Sequence, residues 1–229
     1  GDADQAKGDG ALDCKKSTFC TFSYNHFWDS GKSNLLGLSE NTTSGLYVTY
    51  HHNWYDHSDS RHPRVRYYSA HVYNNYYDGN SKYGAGSTMG SSVFMENNFF
   101  RNCKYPMLTS MQGSDVFGGS AGTFSSEDGG TIKAFNNTMS GQTRYVPYNA
   151  TTNPIEFDAI EVSTRNQTIS NTIRSKQGAN SYNNFDTDPT LYVNNLTVDS
   201  PTAARDKVIL HSGRVSGGDL IWTFNNAVD

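Results

Sequence analysis

The chain has 229 residues, 17% of them charged and 35% hydrophobic, with a net charge of −4. It is long enough to bury a core and suits one domain or two, and its 13% aromatic content excludes a disordered chain. The acidic balance argues against a general nucleic-acid binder, and no apolar run reaches the 18 residues of a transmembrane helix. Polarity resides in uncharged side chains, with 23 Asn beside 21 Gly and 15 Tyr. The first residue is Gly1 and no apolar leader segment follows, which predicts a processed chain or a fragment. Three cysteines (Cys14, Cys20, Cys103) cannot all pair with one another and form no zinc pattern. Asn-x-Ser/Thr acceptors stand at Asn41, Asn136, Asn149, Asn166 and Asn195, a number that chance alone supplies in so Asn-rich a chain.

In chain order, short β-favouring runs recur, each broken by an Asn with aromatic or apolar residues behind it. They are Phe22–Phe27, Tyr50–Tyr55, Val72–Tyr77, Met95–Phe100 and Ala134–Met139, with weaker copies at Val193–Leu196 and Phe224–Ala227. Aligned on the second Asn, the copies fall at 25, 53, 75, 98, 137, 195 and 226, spaced 28, 22, 23, 39, 58 and 31 apart. A basic step near 22 with longer insertions predicts an all-β solenoid of stacked coils with long loops. An Asn at one turn of every coil tolerates a left-handed backbone, and its amide can donate to the Asn of the next coil. Unrelated hairpin turns are the competing explanation, but hairpins favour Asn-Gly over Asn-Asn between aromatics. Of the insertions, Gly113–Gly130 is Gly/Ser-rich and must leave the coil. Residues Tyr145–Asp188 are mostly polar, with Pro154–Ile160 as the start of a short helix.

Four clusters could carry chemistry. Asp9 and Asp13 flank Gly10-Ala11-Leu12, and on a strand i and i+4 share a face, a hard-oxygen pair suited to Ca²⁺. Lys32 follows about one coil later. Arg61-His62-Pro63-Arg64-Val65-Arg66 sets three arginines in a rigid turn, a concentration of cations that points to an anionic ligand such as a carboxylate. His51, His52, Asp56, His57 and His71 crowd one region, but adjacent strand residues face opposite ways, so stacking histidines are preferred to a metal centre. Taken singly, a solvated acidic face is the commoner explanation of the first cluster and an ordinary surface lysine of the second, while a solvated basic edge is the alternative for the third.

Taken together, these residues resemble the pectate lyases of polysaccharide lyase family 1. The likeness is carried by Asp9-Gly10-Ala11-Leu12-Asp13-Cys14-Lys15, Thr21–Asn25, Lys32 with Leu35-Leu36-Gly37, and Val48-Thr49-Tyr50-His51-His52-Asn53-Trp54-Tyr55. It continues through Arg61–Arg66, Ala70–Tyr77 and Glu96–Phe100, covering about residues 9–110 with a looser match beyond. The resemblance implies a right-handed parallel β-helix, secreted and extracellular, that cleaves polygalacturonate, an acidic plant cell-wall polysaccharide, by β-elimination with Ca²⁺. It implies calcium ligation by Asp9 and Asp13, a substrate carboxylate on Lys32, Arg61 as the base at C5 and Arg66 as a second substrate-binding arginine. Guanidinium is ordinarily protonated, so this assignment needs Ca²⁺ and neighbouring cations to favour the neutral form.

Two departures stand out. The family supplies further calcium aspartates from a coil upstream of Asp9, and Cys14 holds a position that is usually aliphatic, where a buried thiol serves as a small hydrophobe. The expectation is one β-helix domain over 1–229, incomplete at its N-terminal side. It would be a monomer or would pair with the missing part, with no nucleic-acid or membrane partner. Rival readings are a pectin lyase acting on methyl-esterified polymer, a non-catalytic polysaccharide-binding solenoid and, more distantly, a zinc enzyme built on the histidines.

Overall fold

For the five copies from Asn25 to Asn137, the run ahead of the repeated Asn is a strand, and the run behind it is another. The computed structural model describes residues 10–38, 42–43, 45–109, 127–175, 178 and 180–213. The first coil holds β1 (Cys20–Ser23), β2 (His26–Trp28) and β3 (Leu35–Leu36). The second holds β4 (Tyr47–His51), β5 (Trp54–Asp56) and β6 (Arg64–Arg66), and the third β7 (Ser69–Tyr73), β8 (Tyr76–Asp78) and β9 (Ala85–Thr88). Then come β10 (Ser92–Glu96), β11 (Phe99–Arg101) and β12 (Met107–Leu108), followed by β13 (Thr131–Phe135), β14 (Thr138–Ser140) and β15 (Ile160–Glu161). Corresponding strands pair in parallel from coil to coil, giving three sheets, β1-β4-β7-β10-β13-β15, β2-β5-β8-β11-β14 and β3-β6-β9-β12. This is a parallel β-helix.

Parallel, in-register stacking puts like on like inside the coil. Tyr50, Val72, Met95 and Ala134 form one inward column. Phe27, Tyr55, Tyr77 and Phe100 form another, with ring centroids 5.2, 5.0 and 4.2 Å apart. Cys14 joins this core as a buried, free thiol. The asparagines bind the turns. Asn25 Nδ2 donates to Asn53 Oδ1 (2.9 Å), Asn53 to Asn75 (3.0 Å), Asn75 to Asn98 (3.1 Å) and Asn98 to Asn137 (2.9 Å). Each accepting oxygen also takes the backbone N–H of the Asn below. The other amide hydrogen of Asn53, Asn75, Asn98 and Asn137 goes to a strand carbonyl of the preceding coil.

Four expectations need correction. The left-handed residue is the one before the ladder Asn: Tyr24, His52, Asn74, Asn97 and Asn136 have φ of 51–55°. Because that turn begins at His52, the His51 and His52 rings meet instead of pointing apart, with their Nδ1 atoms 2.9 Å from each other. Asn195 ends a 3₁₀ turn, Tyr192–Asn195, and is no part of the ladder; Asn226 lies outside the described residues. Pro154–Ile160 forms no helix, because Asn149 Oδ1 accepts from Thr151 and Thr152 N–H to close a turn, and Ile160 is drawn into β15 beside Lys133.

The insertion around Tyr145–Asp188 packs over the first sheet. Fully buried Lys133 pairs with Asp186 (2.6 Å), and Arg165 clasps Glu96 (2.7 and 2.8 Å), which also accepts from His71 (2.7 Å). A helix that the periodicity did not indicate, α1 (Pro201–His211), starts with Ser200 accepting from Ala203 N–H and with Pro201 in the first turn. It is docked by the first Asn of two pairs, since Asn74 and Asn97 both donate to Asp199 O at 2.8 Å.

Replacing Asn75 by Ala removes one ladder member and strands buried donors and acceptors on both neighbouring coils. Urea denaturation is expected to show a loss of about 3 kcal/mol or more, against about 1 kcal/mol or less for an exposed Asn. A second prediction concerns pH. His57 Nδ1–H donates to buried Asp56 (2.5 Å), and this bond raises the imidazole pKa above its ordinary 6.5. A raised folded-state value adds stability that is complete below about pH 6.5 and disappears as pH climbs through the folded pKa. The urea midpoint should therefore fall over that interval, and His57→Gln should flatten the fall.

Candidate active site

The turns leading from the second sheet into the third stack as regularly as the strands. Ala11 N–H donates to Lys32 O (3.1 Å), Leu12 to Ser33 O (2.9 Å), Ser33 to Ser60 O (3.1 Å), Asn34 to Arg61 O (2.7 Å) and His62 to Gly84 O (2.9 Å). Lys32 pairs in parallel with Ser60, the residue before Arg61. The segments bearing Asp13, Lys32 and Arg61 therefore lie on three consecutive rungs, each about 4.8 Å from the next, although 48 positions separate the first residue from the last.

Asp13 is exposed, and its Oδ1 accepts the Leu35 N–H at 2.8 Å. A Cβ at Gly10 would lie 2.3 Å from Asp13 Oδ2, and Gly10 has φ +78°, so only glycine lets the carboxylate fold back here. An exposed carboxylate held by one backbone donor is a hard-oxygen group that fits a calcium ligand. Asp9, its expected partner, lies outside the described residues.

Arg61 sits in the left-handed region with φ 65°, ahead of a cis His62–Pro63 bond. The turn is tied down on several sides. Besides the Arg61 and His62 backbone bonds above, Tyr77 Oη donates to His62 O (2.8 Å), and His62 Nδ1–H donates to Tyr83 O (2.9 Å). Burial drives the His62 pKa down to about 3, so the imidazole is neutral and belongs to the core under Arg61.

Arg66 Nε donates to both oxygens of Glu127 (2.9 and 3.1 Å), and Arg66 Nη2 also contacts that carboxylate. Arg64 Nη2 lies 2.7 Å from Glu127 Oε2. Burial opposes the charge on Arg64, but Tyr83 and Glu127 outweigh it and raise the pKa above the ordinary value. Burial likewise pushes the Glu127 carboxyl up, and hydrogen bonding from Arg66 with the charge of Arg64 brings it below the ordinary value. The arginine expected to meet substrate thus already holds an internal carboxylate. Tyr83 and Glu127 were not singled out from the sequence. Glu127 lies 61 positions from Arg66 at the end of a Gly/Ser-rich stretch, with no local signal of its partner.

The histidines support stacking and not a metal. His51 stacks on Tyr73, His52 on Tyr24 and His26 on Trp54, at 4.9, 4.9 and 4.2 Å. Among the described residues, one group, Asp56, His57 and Asp78, has metal-like spacing. Its Asp56 already accepts from His26 and His57, and its Asp78 from Arg101 (2.7 and 2.8 Å).

Glu127→Ala should leave two poorly exposed guanidinium groups without their carboxylate. Chemical denaturation is expected to show about 3 kcal/mol of lost stability; a loss within the range of a surface pair would mean that solvent already separates these charges.

The pectate lyase family model matches residues 1–213. A pectate trisaccharide-lyase of Bacillus licheniformis is 38% identical over 102 residues, which is 44% of this chain and 30% of that protein. A pectate lyase of Bacillus subtilis is 34% identical over 135 residues, 54% of this chain and 31% of that one. Among solved structures, pectate lyase II from Xanthomonas campestris superposes with a TM-score of 0.57 at 25% identity, covering 90% of this chain and 53% of that one. A Bacillus sp. N165 pectate lyase in complex with trigalacturonate does so at 0.55 and 26%, covering 89% and 52%. The chain thus spans about a third of the length of these curated relatives.

Proposed function

Because this chain belongs to the pectate lyase family, we propose that it cleaves polygalacturonate by calcium-dependent β-elimination, with Arg61 as the base. The observation that supports the reading is the backbone stacking of the segments that carry Asp13, Lys32 and Arg61 on consecutive rungs. Asp9 and Asp13 would hold Ca²⁺, which would supply positive charge to neutralise a uronate carboxylate and acidify the neighbouring C5–H. Lys32 binds the same carboxylate and favours the enolate-like charge that builds on it. Arg61, held by its turn, takes the C5 proton. The C5–H electron pair becomes the C4=C5 double bond, the C4–O4 bond breaks, and the leaving oxygen takes a proton from water. Arg66 binds a second uronate carboxylate, in competition with Glu127. A charged polymer suits this set better than a methyl-esterified one, which offers no carboxylate to Ca²⁺ or Lys32. Work on a plant cell-wall polymer places the protein outside the cell that makes it. No helix among the described residues is long and apolar enough to cross a membrane.

With polygalacturonate and Ca²⁺, absorbance from the unsaturated uronide is expected to rise and to stop on addition of chelator. Arg61→Ala should lower the rate by about 10²–10⁴-fold, the contribution of a positioned base, while Lys32→Ala should raise KM as well. A rise that ignores chelator would remove calcium from the reading. Binding of oligogalacturonate without any product would make the chain a binding module instead.

A further inference from the structure

Two of the three free cysteines meet at one corner of the coil. Cys14 bridges to Leu36, which pairs with Val65, so its side chain belongs to an inward column of the third sheet. Cys20 pairs with Val48, and Val48, Ala70, Val93 and Ile132 form a buried column of the first sheet, with half-buried Cys20 at its end. Residues 15–19 between them are exposed and carry the chain from one sheet to the other. Both thiols fold back onto that bend. Cys14 Sγ contacts Ser17 O (3.8 Å), and Cys20 Sγ contacts Thr18 O (3.6 Å). The Tyr68 hydroxyl donates to the same Ser17 O (2.8 Å). This hydroxyl and the Cys20 thiol both stand within hydrogen-bonding reach of the Cys14 sulfur. The third cysteine is elsewhere. Cys103 follows β11 in the fourth coil, is fully buried and reaches Asn80 Oδ1 (3.3 Å), and burial drives its pKa up to about 12.

We propose that Cys14 and Cys20 are a disulfide pair, formed by exchange with a low-molecular-weight disulfide, that fastens this corner of the coil. The half-buried Cys20 thiolate attacks one sulfur of the small disulfide, forming a mixed disulfide and releasing one small thiolate. Cys14, behind it in the core, then attacks the Cys20 sulfur; the mixed disulfide breaks and the second small thiolate leaves. Two cysteine thiols are oxidised, one small disulfide is reduced to two thiols, and the cysteine protons end on those thiols. Such a link persists in an oxidising compartment. It joins the residue after Asp13 to β1 across a bend that holds no strand, and it constrains the unfolded chain as well. Cys103, sunk in the core of another coil, remains a thiol. The pair stands whether or not the chain is a lyase.

The test incubates the full chain with oxidised glutathione or with dithiothreitol, then unfolds it, alkylates free thiols and digests it with trypsin without reduction. Trypsin cuts after Lys15 and Lys16, between the two cysteines, so peptides Gly8–Lys15 and Ser17–Lys32 stay joined only through a Cys14–Cys20 bond. After oxidation the two peptides should be recovered joined, with Cys103 alone alkylated. After dithiothreitol all three cysteines should carry the alkyl group. The oxidised chain should melt about 5 °C above the reduced one, a difference that Cys103→Ala keeps and Cys20→Ser removes. Alkylation of all three cysteines after oxidation, or Cys20 halted as its glutathione adduct, would overturn the pair. Equal melting midpoints for the two forms would overturn the fastening.

Discussion

Everything in this molecule depends on hydrogen bonds that run along the coil axis. In a parallel β-helix no strand is satisfied within its own coil, so every backbone donor and acceptor needs the coil above and below. The asparagine column meets that requirement at the bend between the first and second sheets. At the bend after β4, the chain leaves the first sheet through left-handed His52, and the Asn53 amide then joins the coil below to the coil above. Buried amides are costly unless paired. Here each pairs with its own kind, so the column specifies register as well as supplying stability.

The same axial order creates the site. A globular active site gathers residues by folding distant segments around a cavity, whereas here the gathering is a by-product of stacking. Lys32 and Arg61 become neighbours because their turns occupy the same place in adjacent coils. The backbone bonds on both sides of Arg61, with neutral His62 sunk in the core beneath it, hold the guanidinium's base in a turn that cannot relax independently of its neighbours. The insertions are added outside this scaffold. The segment containing Arg165 and Asp186 is fastened to the first sheet by ion pairs with Glu96 and Lys133, so the long excursion leaves the coil undisturbed.

Charge is handled differently on the two sides. Over the first sheet, acids and bases are matched and buried, as with Lys133 and Asp186. Along the turns into the third sheet, cations recur from coil to coil, and Arg64 and Arg66 share the carboxylate of Glu127. Such a pairing holds two like charges together at a short distance. It also means that any other carboxylate brought to Arg66 would have to displace Glu127.

By itself the sequence determined the coil, its turn asparagines and the arginine-rich turn, because each is written in a local period or in a cluster within a few residues. It placed Lys32 one coil beyond Asp13 for the same reason. Only the tertiary structure decided which Asn of a pair binds the ladder and which residue bends the chain, since both positions tolerate Asn and the choice is made by the coil above. It alone united Glu127 with Arg64 and Arg66, docked α1 on Asn74 and Asn97 and drew Ile160 into a strand. Those contacts join residues separated by insertions of unequal length. Their register is set by backbone pairing between coils, which local periodicity does not record.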